Sequence, residues 1–102
     1  MVSREVTSLR FRTEVWEELR EATLWYEAKE RGLGMEFIRA FEAIITNLER
    51  NPRLYPAIYK AARRAVMRRF PYSVIHVVSG DEILVVFVIH GKRDPARWQS
   101  RV

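Results

Sequence analysis

The chain has 102 residues, no cysteine and a formal net charge of +5 at pH 7. This length is typical of one domain, so we expect a single domain over residues 1–102 that buries one hydrophobic core. The absence of cysteine excludes disulfide bonds, thiolate catalysis and cysteine-based zinc sites. No apolar stretch approaches the roughly 18 residues that a membrane span requires, and no signal-like apolar segment opens the chain. We therefore expect a soluble, cytoplasmic protein without a cofactor.

Charge is distributed unequally along the sequence. Residues 1–49 contain seven Arg or Lys and ten Asp or Glu, a net charge of −3, whereas residues 50–102 contain eleven and three, a net charge of +8. Fifteen of the 18 basic residues are arginine, whose planar guanidinium favours bidentate contacts with carboxylate or phosphate. The basic half predicts either a cationic face for an anionic partner or an ordinary solvated surface.

The first half of the chain predicts a short strand and two helices. Residues 5–11 alternate loosely between polar and apolar, and Thr13 follows as a helix N-cap residue. A Gly32-Leu33-Gly34 break separates two segments of helical periodicity, and the second ends at Asn51-Pro52 because the residue before proline disfavours a helix. So short a break makes the helices an antiparallel hairpin, which must pack on a flat partner. The apolar stripes are Val15, Leu19, Ala22 and Tyr26 in the first helix and Phe37, Ile38, Phe41, Ile44, Ile45 and Leu48 in the second.

The second half predicts the flat partner, a three-stranded antiparallel meander. Its strands are expected over residues 63–70, 72–78 and 83–89, because the last two runs are rich in β-branched residues and turn residues separate them at 79–82. The last strand is apolar on both faces, which favours an interior position in the sheet. The predicted fold is therefore α+β, in the order β-α-α-β-β-β.

Aromatic residues and histidines are the first candidates for a functional site. His76 lies among apolar neighbours on a strand, so we expect it to be packed or hydrogen-bonded, not catalytic. His90 follows a strand, where a structural hydrogen bond to the backbone is the expectation. Trp16, Trp25 and Tyr26 fall in or beside the stripe of the first helix, and we expect core packing there in preference to base stacking.

Arginine pairs provide the strongest electrostatic signal. Arg63-Arg64 and Arg68-Arg69 lie in one predicted strand, and since side chains alternate between the two faces, all four cannot serve one site. The Lys92-Arg93 pair follows the last strand, where a solvated position and a role in partner binding are equally consistent with the pattern.

Several short motifs, taken together, resemble the RelE/ParE toxin superfamily, on its ParE (plasmid stabilisation) side. The motifs are Trp25-Tyr26-Glu27, Gly32-Leu33-Gly34, Asn51-Pro52, Arg69-Phe70-Pro71-Tyr72 and the tail His90-Gly91-Lys92-Arg93-Asp94-Pro95, followed by Trp98 and Arg101.

This resemblance covers nearly the whole chain and implies the toxin of a type II toxin–antitoxin system. Such a toxin is neutralised by a small antitoxin with a dimeric, DNA-binding N-terminal domain and a C-terminal segment that wraps around the toxin. The resemblance further implies inhibition of DNA gyrase for ParE-like members, and ribosome-dependent cleavage of messenger RNA for RelE-like members.

The residues favour the first of these activities. RelE-like toxins carry lysines in the loop before the meander, an arginine early in the middle strand, another after the last strand, and a tyrosine near the C-terminus. Lys60 and Arg93 match this set, but Ser73 stands in place of the middle-strand arginine, and no tyrosine follows Arg93. Metal-free RNA cleavage needs such groups for proton transfer and charge stabilisation. We therefore expect a gyrase-binding inhibitor, with a ribonuclease using Arg93, Lys60 and His90 as the alternative.

Two binding surfaces follow from these expectations. We expect the antitoxin to use the outer groove of the helical hairpin for an amphipathic helix and the arginine-bearing sheet for an acidic extended segment. The predicted antitoxin-binding residues are Trp25, Arg63, Arg64, Arg68 and Arg69, and the predicted target-binding residues are Lys92, Arg93, Arg97 and Trp98.

Overall fold

The computed structural model describes residues 8–91 together with Gln99 and Arg101. Two helices follow a first strand, and the remaining strands come after them, as the sequence predicts. The helices are α1 (Thr13–Lys29) and α2 (Leu33–Arg50), and the strands are β1 (Ser8–Phe11), β2 (Ala57–Tyr59), β3 (Ala62–Val66), β4 (Tyr72–Ser79) and β5 (Glu82–His90).

The strands form one five-stranded sheet in the order β1-β5-β4-β3-β2. Strands β2 to β5 are antiparallel neighbours, whereas β1 pairs with β5 in parallel. The predicted α+β class is confirmed, and β5 is an interior strand because β1 covers part of its outer edge. That parallel pairing runs from Ser8 opposite Glu82 to Phe11 opposite Val85.

Three local predictions need correction. Strand β2 was not predicted, and β3 ends at Val66, so Arg68 and Arg69 lie in the loop before β4 and not on a strand. The chain turns back there: Met67 N–H donates to Tyr72 C=O at 2.8 Å, and Arg69 has a left-handed backbone with φ of 73°. Thr13 is the first helical residue, and Arg12 occupies the N-cap position while its N–H bonds the Val85 carbonyl at 2.9 Å.

A carboxylate from α1 organises the turn between the helices. Gly32 precedes α2 with φ of 90°, a conformation that favours glycine. Glu27 accepts hydrogen bonds from the Gly32 and Gly34 amides, each at 3.0 Å. These bonds lower the pKa of the Glu27 carboxyl, because they stabilise its ionised form. The turn therefore satisfies amide groups that would otherwise lack a partner at the start of α2.

The main core lies between the helical hairpin and one face of the sheet. Its centre is an aromatic cluster in which the ring centroids of Tyr26 in α1 and Phe37 in α2 lie 5.2 Å apart. The Phe70 centroid lies 4.8 Å from that of Tyr26 and 5.2 Å from that of Phe37. Tyr72 joins this cluster 5.1 Å from Phe37. The Phe70-Pro71-Tyr72 motif therefore anchors the loop before β4 to both helices.

A second, smaller cluster consists only of strand residues, which places it on the opposite face of the sheet. Strand β5 contributes to both clusters, as its two-sided apolar pattern predicts. Within the described residues, neither α1 nor α2 contains the sustained apolar stretch that a membrane-spanning helix needs. The buried members of the second cluster are Ala62, Ile75, Val86, Phe87 and Ile89.

Candidate interaction site

A groove of about 550 Å³ runs between α1 and the outer edge of β5. It combines acidic, aromatic and aliphatic side chains with the main chain of a strand. Its lining residues are Glu18, Glu21, Ala22, Trp25, Tyr26, Pro71, Tyr72, Phe87, Val88, Ile89 and His90.

The groove exists because β1 is shorter than β5. Strand β1 pairs with β5 only as far as Val85, and the chain then turns into α1. Among the described residues no strand pairs with the outer edge of β5 beyond that point, so side chains bond its backbone instead. Val88 N–H donates to Glu18 Oε1 at 3.0 Å, and Arg101 Nη1 donates to the Val86 carbonyl at 3.0 Å.

Glu18 and Arg101 also bind each other. Arg101 Nη1 lies 2.8 Å from Glu18 Oε2, and both side chains are largely buried. The Arg101 guanidinium lies 3.7 Å from the centroid of the Phe87 ring, on the face of the sheet turned away from the helices. Burial raises the pKa of the Glu18 carboxyl, and its bonds to Val88 and Arg101 act in the opposite direction. The Arg101 side chain therefore crosses the edge of the sheet to meet Glu18. We call the Glu18–Arg101 ion pair and its hydrogen bonds to Val88 and Val86 the edge clamp.

Trp25 stands on the helical wall of the groove with 55% of its surface exposed. Its ring contacts Tyr26 edge-on at 5.0 Å, and the Lys29 ammonium lies 4.6 Å from its centroid. Trp16 is 51% exposed and packs on Phe11 at 4.7 Å. The expectation of core packing is therefore confirmed for Tyr26 and wrong for both tryptophans. An exposed tryptophan beside a groove is typical of a binding surface.

The two described residues of the alternative ribonuclease set lie far apart. His90 pairs with Tyr72 at one end of β4, with the rings 5.4 Å apart. Lys60 follows β2, next to the point where β3 pairs with Val77 near the other end of β4. Those positions, Tyr72 and Val77, are five residues apart along β4, which is about 17 Å at the usual rise per residue. Arg93 lies outside the described residues.

The four predicted antitoxin-binding arginines have different surroundings. Arg63 Nη1 donates to the carbonyls of Tyr55 at 2.6 Å and Arg53 at 3.3 Å, which ties β3 to the loop before β2. Arg69 Nη2 lies 2.7 Å from Glu36 of α2. Arg64 and Arg68 are exposed. The predicted target-binding residues Lys92, Arg93, Arg97 and Trp98 lie outside the described residues, and their roles stay predictions.

His76 is fully buried, which confirms the packed position expected from the sequence. Its Nδ1 lies 3.3 Å from the Val74 carbonyl oxygen, and its ring meets Tyr55 edge-on at 5.9 Å. Burial lowers the pKa of His76 to about 4, so the ring is neutral at pH 7. No cluster of His, Cys, Asp and Glu suited to a metal ion occurs within the described part of the chain.

The match to a known family covers most of the chain. The family described as the ParE toxin of the type II toxin–antitoxin system parDE matches residues 9–95. This chain belongs to that family. The superfamily expected from the sequence motifs is therefore confirmed, and the chain is a ParE/RelE-type toxin of a type II toxin–antitoxin system.

Solved structures share the fold of this ParE/RelE-type toxin. A chromosomal ParDE toxin–antitoxin system from P. aeruginosa matches with a TM-score of 0.60 and 16% sequence identity, covering 83% of this chain and 96% of that chain. The RelBE2 toxin–antitoxin complex from Mycobacterium tuberculosis matches with a TM-score of 0.58 and 16% identity, covering 88% of this chain and 94% of that chain. No curated protein shows significant similarity to the sequence.

The sequence did not reveal the edge clamp. Glu18 lies one residue before the apolar stripe position Leu19, and nothing in its spacing distinguishes it from the other glutamates of α1. Glu18 and Val88 are 70 residues apart, and only the sheet topology brings them together. The one available signal is the tail motif, which includes Arg101 without indicating what it contacts.

Proposed function

We propose that this toxin inhibits DNA gyrase by binding it and that a cognate antitoxin neutralises the toxin. The observation that carries the proposal is that the structure has a well-formed groove suited to binding, whereas the candidate catalytic residues lie far from one another. The groove presents an exposed tryptophan and, within the described residues, a strand edge that no other strand covers, whereas Lys60 and His90 lie near opposite ends of β4. Inhibition by binding needs only a surface of the first kind.

Catalysis of RNA cleavage would need several groups close to one phosphate. A base, an acid and cations must converge within hydrogen-bonding reach of the reacting atoms. Ser73, at the position where RelE-like toxins carry an arginine, is 2% exposed and cannot supply charge to a substrate. This arrangement supports a toxin that makes and breaks no covalent bond.

A partner antitoxin follows from the family and is consistent with the two structural neighbours, which are toxin–antitoxin systems. We propose a ParD-like antitoxin with a dimeric DNA-binding domain and a C-terminal segment that folds on the toxin surface. A segment that orders on binding covers a large area with a short chain.

Gyrase inhibition is tested with purified toxin in supercoiling and cleavage-complex assays. We expect loss of supercoiling and accumulation of cleaved DNA, both reversed when the toxin is first mixed with its antitoxin. Gyrase that keeps full activity at saturating toxin would exclude this target.

The alternative is ribosome-dependent cleavage of messenger RNA. Its support is structural, because the RelBE2 complex matches this fold almost as well as the ParDE system does. Primer extension on translated messages decides between the two functions. New 5′ ends that disappear in the variants Arg93→Ala or Lys60→Ala would establish the ribonuclease, and their absence would exclude it.

A further inference from the structure

We propose that the open edge of β5 at Val86–Val88 binds an extended segment of the antitoxin in which basic and apolar residues alternate, and that Arg101 occupies this edge until the segment displaces it. The inference rests on the proposed function only in naming the antitoxin as the partner. It predicts a segment that carries positive charge, although the toxin itself has a net charge of +5.

The edge clamp reproduces the hydrogen bonds of a missing strand. A strand added at this edge would give one donor to the Val86 carbonyl and one acceptor to the Val88 amide. Arg101 and Glu18 now supply that donor and that acceptor. Unpaired edges attract further strands, so a side-chain cover that can be displaced leaves the edge available to a specific partner.

Strand β1 shows what this edge of β5 accepts. It pairs with β5 just before the open stretch. Through Arg12, the residue that follows the strand, apolar Leu9 and Phe11 alternate with basic Arg10 and Arg12. Leu9 and Phe11 pack against the main core, on the side where α1 and the groove lie. A second segment that pairs with β5 beyond the end of β1 would likewise contact the edge of β5 and the side of α1.

The acidic side chains of the groove favour a positively charged group on the ligand. Glu18 and Glu21 line it, and displacement of Arg101 leaves the Glu18 carboxylate partly buried without its ion pair. An unpaired buried charge is strongly unfavourable, so the incoming segment must provide a replacement for the guanidinium. Burial already raises the pKa of Glu18, in agreement with a site that needs a positive partner.

The aromatic wall of the groove favours a large apolar side chain on the ligand. Trp25 exposes its ring there, next to Tyr26 and Tyr72, and the open volume of about 550 Å³ accommodates such a group. Successive residues of an extended segment point to opposite sides. The Arg101 guanidinium meets Glu18 from the face that carries Phe87, so a basic residue on that face followed by an apolar residue toward Trp25 defines a short alternating motif.

The first test is hydrogen exchange of the full-length toxin, alone and with its antitoxin. We expect at least tenfold slower exchange in the peptide that covers Val86–His90 when the antitoxin is bound. Glu18→Gln should weaken antitoxin binding at least tenfold, whereas Arg101→Ala should leave it unchanged or strengthen it, because Arg101 competes with the segment. The matched control is Glu17→Gln, an exposed residue of the same helix turn that pairs with Arg20.

Several outcomes would overturn the inference. An antitoxin that binds without slowing exchange at Val86–His90 refutes it and leaves the proposed function intact. Weaker binding by Arg101→Ala, with a melting temperature equal to that of the parent toxin, would make Arg101 a direct contact and not a competitor. Protection of this edge in the toxin alone, together with a dimeric mass, would identify a second toxin copy as the occupant.

A titration with synthetic peptides tests the inference even if the Glu18→Gln variant fails to fold. Acetyl-Ser-Leu-Arg-Phe-Arg-amide, which copies residues 8–12, is titrated into the Arg101→Ala toxin beside acetyl-Ser-Leu-Glu-Phe-Glu-amide. The basic peptide should shift the backbone resonances of Val86–His90 and should bind at least tenfold more tightly than the acidic peptide. Equal binding of both peptides, or no shift with either, would exclude a site for basic alternating segments.

Discussion

Gly34 of α2 packs directly against the main chain of Thr23 in α1. A Cβ atom at position 34 would lie 2.9 Å from the Thr23 carbonyl oxygen and 3.0 Å from Glu27 Oε1. Real Cβ contacts are essentially never that short, so only glycine permits this approach of the helices. The Gly32-Leu33-Gly34 motif therefore has two functions, since Gly32 supplies the positive φ of the turn and Gly34 the close packing.

The first prediction concerns Gly34→Ala. Alanine is favoured over glycine inside a helix by about 1 kcal/mol. Overpacking against a backbone atom costs about 1–3 kcal/mol, and it also disturbs the Glu27 bonds to the turn. We expect a net loss in the free energy of unfolding, measured by urea denaturation. The control is Gly32→Asn, which has open space around position 32 and tolerates a positive φ better than other residues. A Gly34→Ala protein as stable as the parent would contradict the close contact.

The second prediction concerns pH and His76. The pKa of His76 falls to about 4 in the fold from an ordinary value of 6.5, so the unfolded chain binds the proton more readily. Stability contributed by the neutral ring is therefore complete above pH 6.5 and is lost as the pH falls toward 4, by about 3 kcal/mol in all. The free energy of unfolding should decline over this window in urea titrations.

The matched variant for this prediction is His76→Leu. Glu18 has a raised pKa and acts in the opposite sense, gaining stability as the pH falls, so the parent profile contains both effects. The difference between parent and variant isolates the histidine, because Glu18 is common to both. Parallel profiles from pH 7 to 4.5 would show that His76 does not drive the loss.

The third prediction separates two neighbouring arginines. The Arg63 side chain donates two hydrogen bonds to backbone carbonyls, whereas the Arg64 side chain is exposed and makes no hydrogen bond or ion pair within residues 8–91, 99 and 101. Arg63→Ala should therefore cost about 1–2 kcal/mol in the free energy of unfolding, and Arg64→Ala less than about 0.5 kcal/mol. Equal losses in thermal and urea denaturation would mean that the Arg63 bonds contribute little.

The fourth prediction concerns the exposed arginines as a binding surface. Arg64→Glu combined with Arg68→Glu should weaken antitoxin binding, since both side chains are available to an acidic segment. Neither arginine lines the groove at β5, so we expect the two sets of residues to select opposite charges on different parts of the antitoxin. Calorimetric titration at two salt concentrations measures the effect. Unchanged affinity would place the anion-binding surface elsewhere on the toxin.

Residue patterns predicted the elements that have strong local signals. The strand expected over residues 72–78 is observed as Tyr72–Ser79, because its β-branched residues pack on both faces of an interior strand. The helical stripe ending at Leu48 is likewise observed in α2, where Phe37, Phe41, Ile44 and Leu48 are buried. The spacing of apolar residues predicts these buried faces because the environment of the side chains repeats at a fixed interval along a helix or strand.

Features that depend on distant contacts were not predictable. Strand β2 has only three residues, and they form a strand because β3 pairs beside them. The exposure of Trp25 could not be separated from the burial of Tyr26, since adjacent residues on a helix point only 100° apart. The groove itself depends on where β1 stops along β5, which is a property of the sheet and not of any local segment.

The last prediction tests Trp25 as an anchor for the antitoxin. Trp25→Ala should weaken antitoxin binding by about 2 kcal/mol or more, roughly thirtyfold, as expected for an exposed tryptophan that becomes buried in an interface. Stability should change little, because the ring is 55% exposed in the free toxin. Leu24→Ala is the matched control, since Leu24 is 53% exposed and adjacent but does not line the groove. Binding constants from calorimetry compare the two variants. A larger loss in Leu24→Ala than in Trp25→Ala would place the antitoxin on a different face of α1.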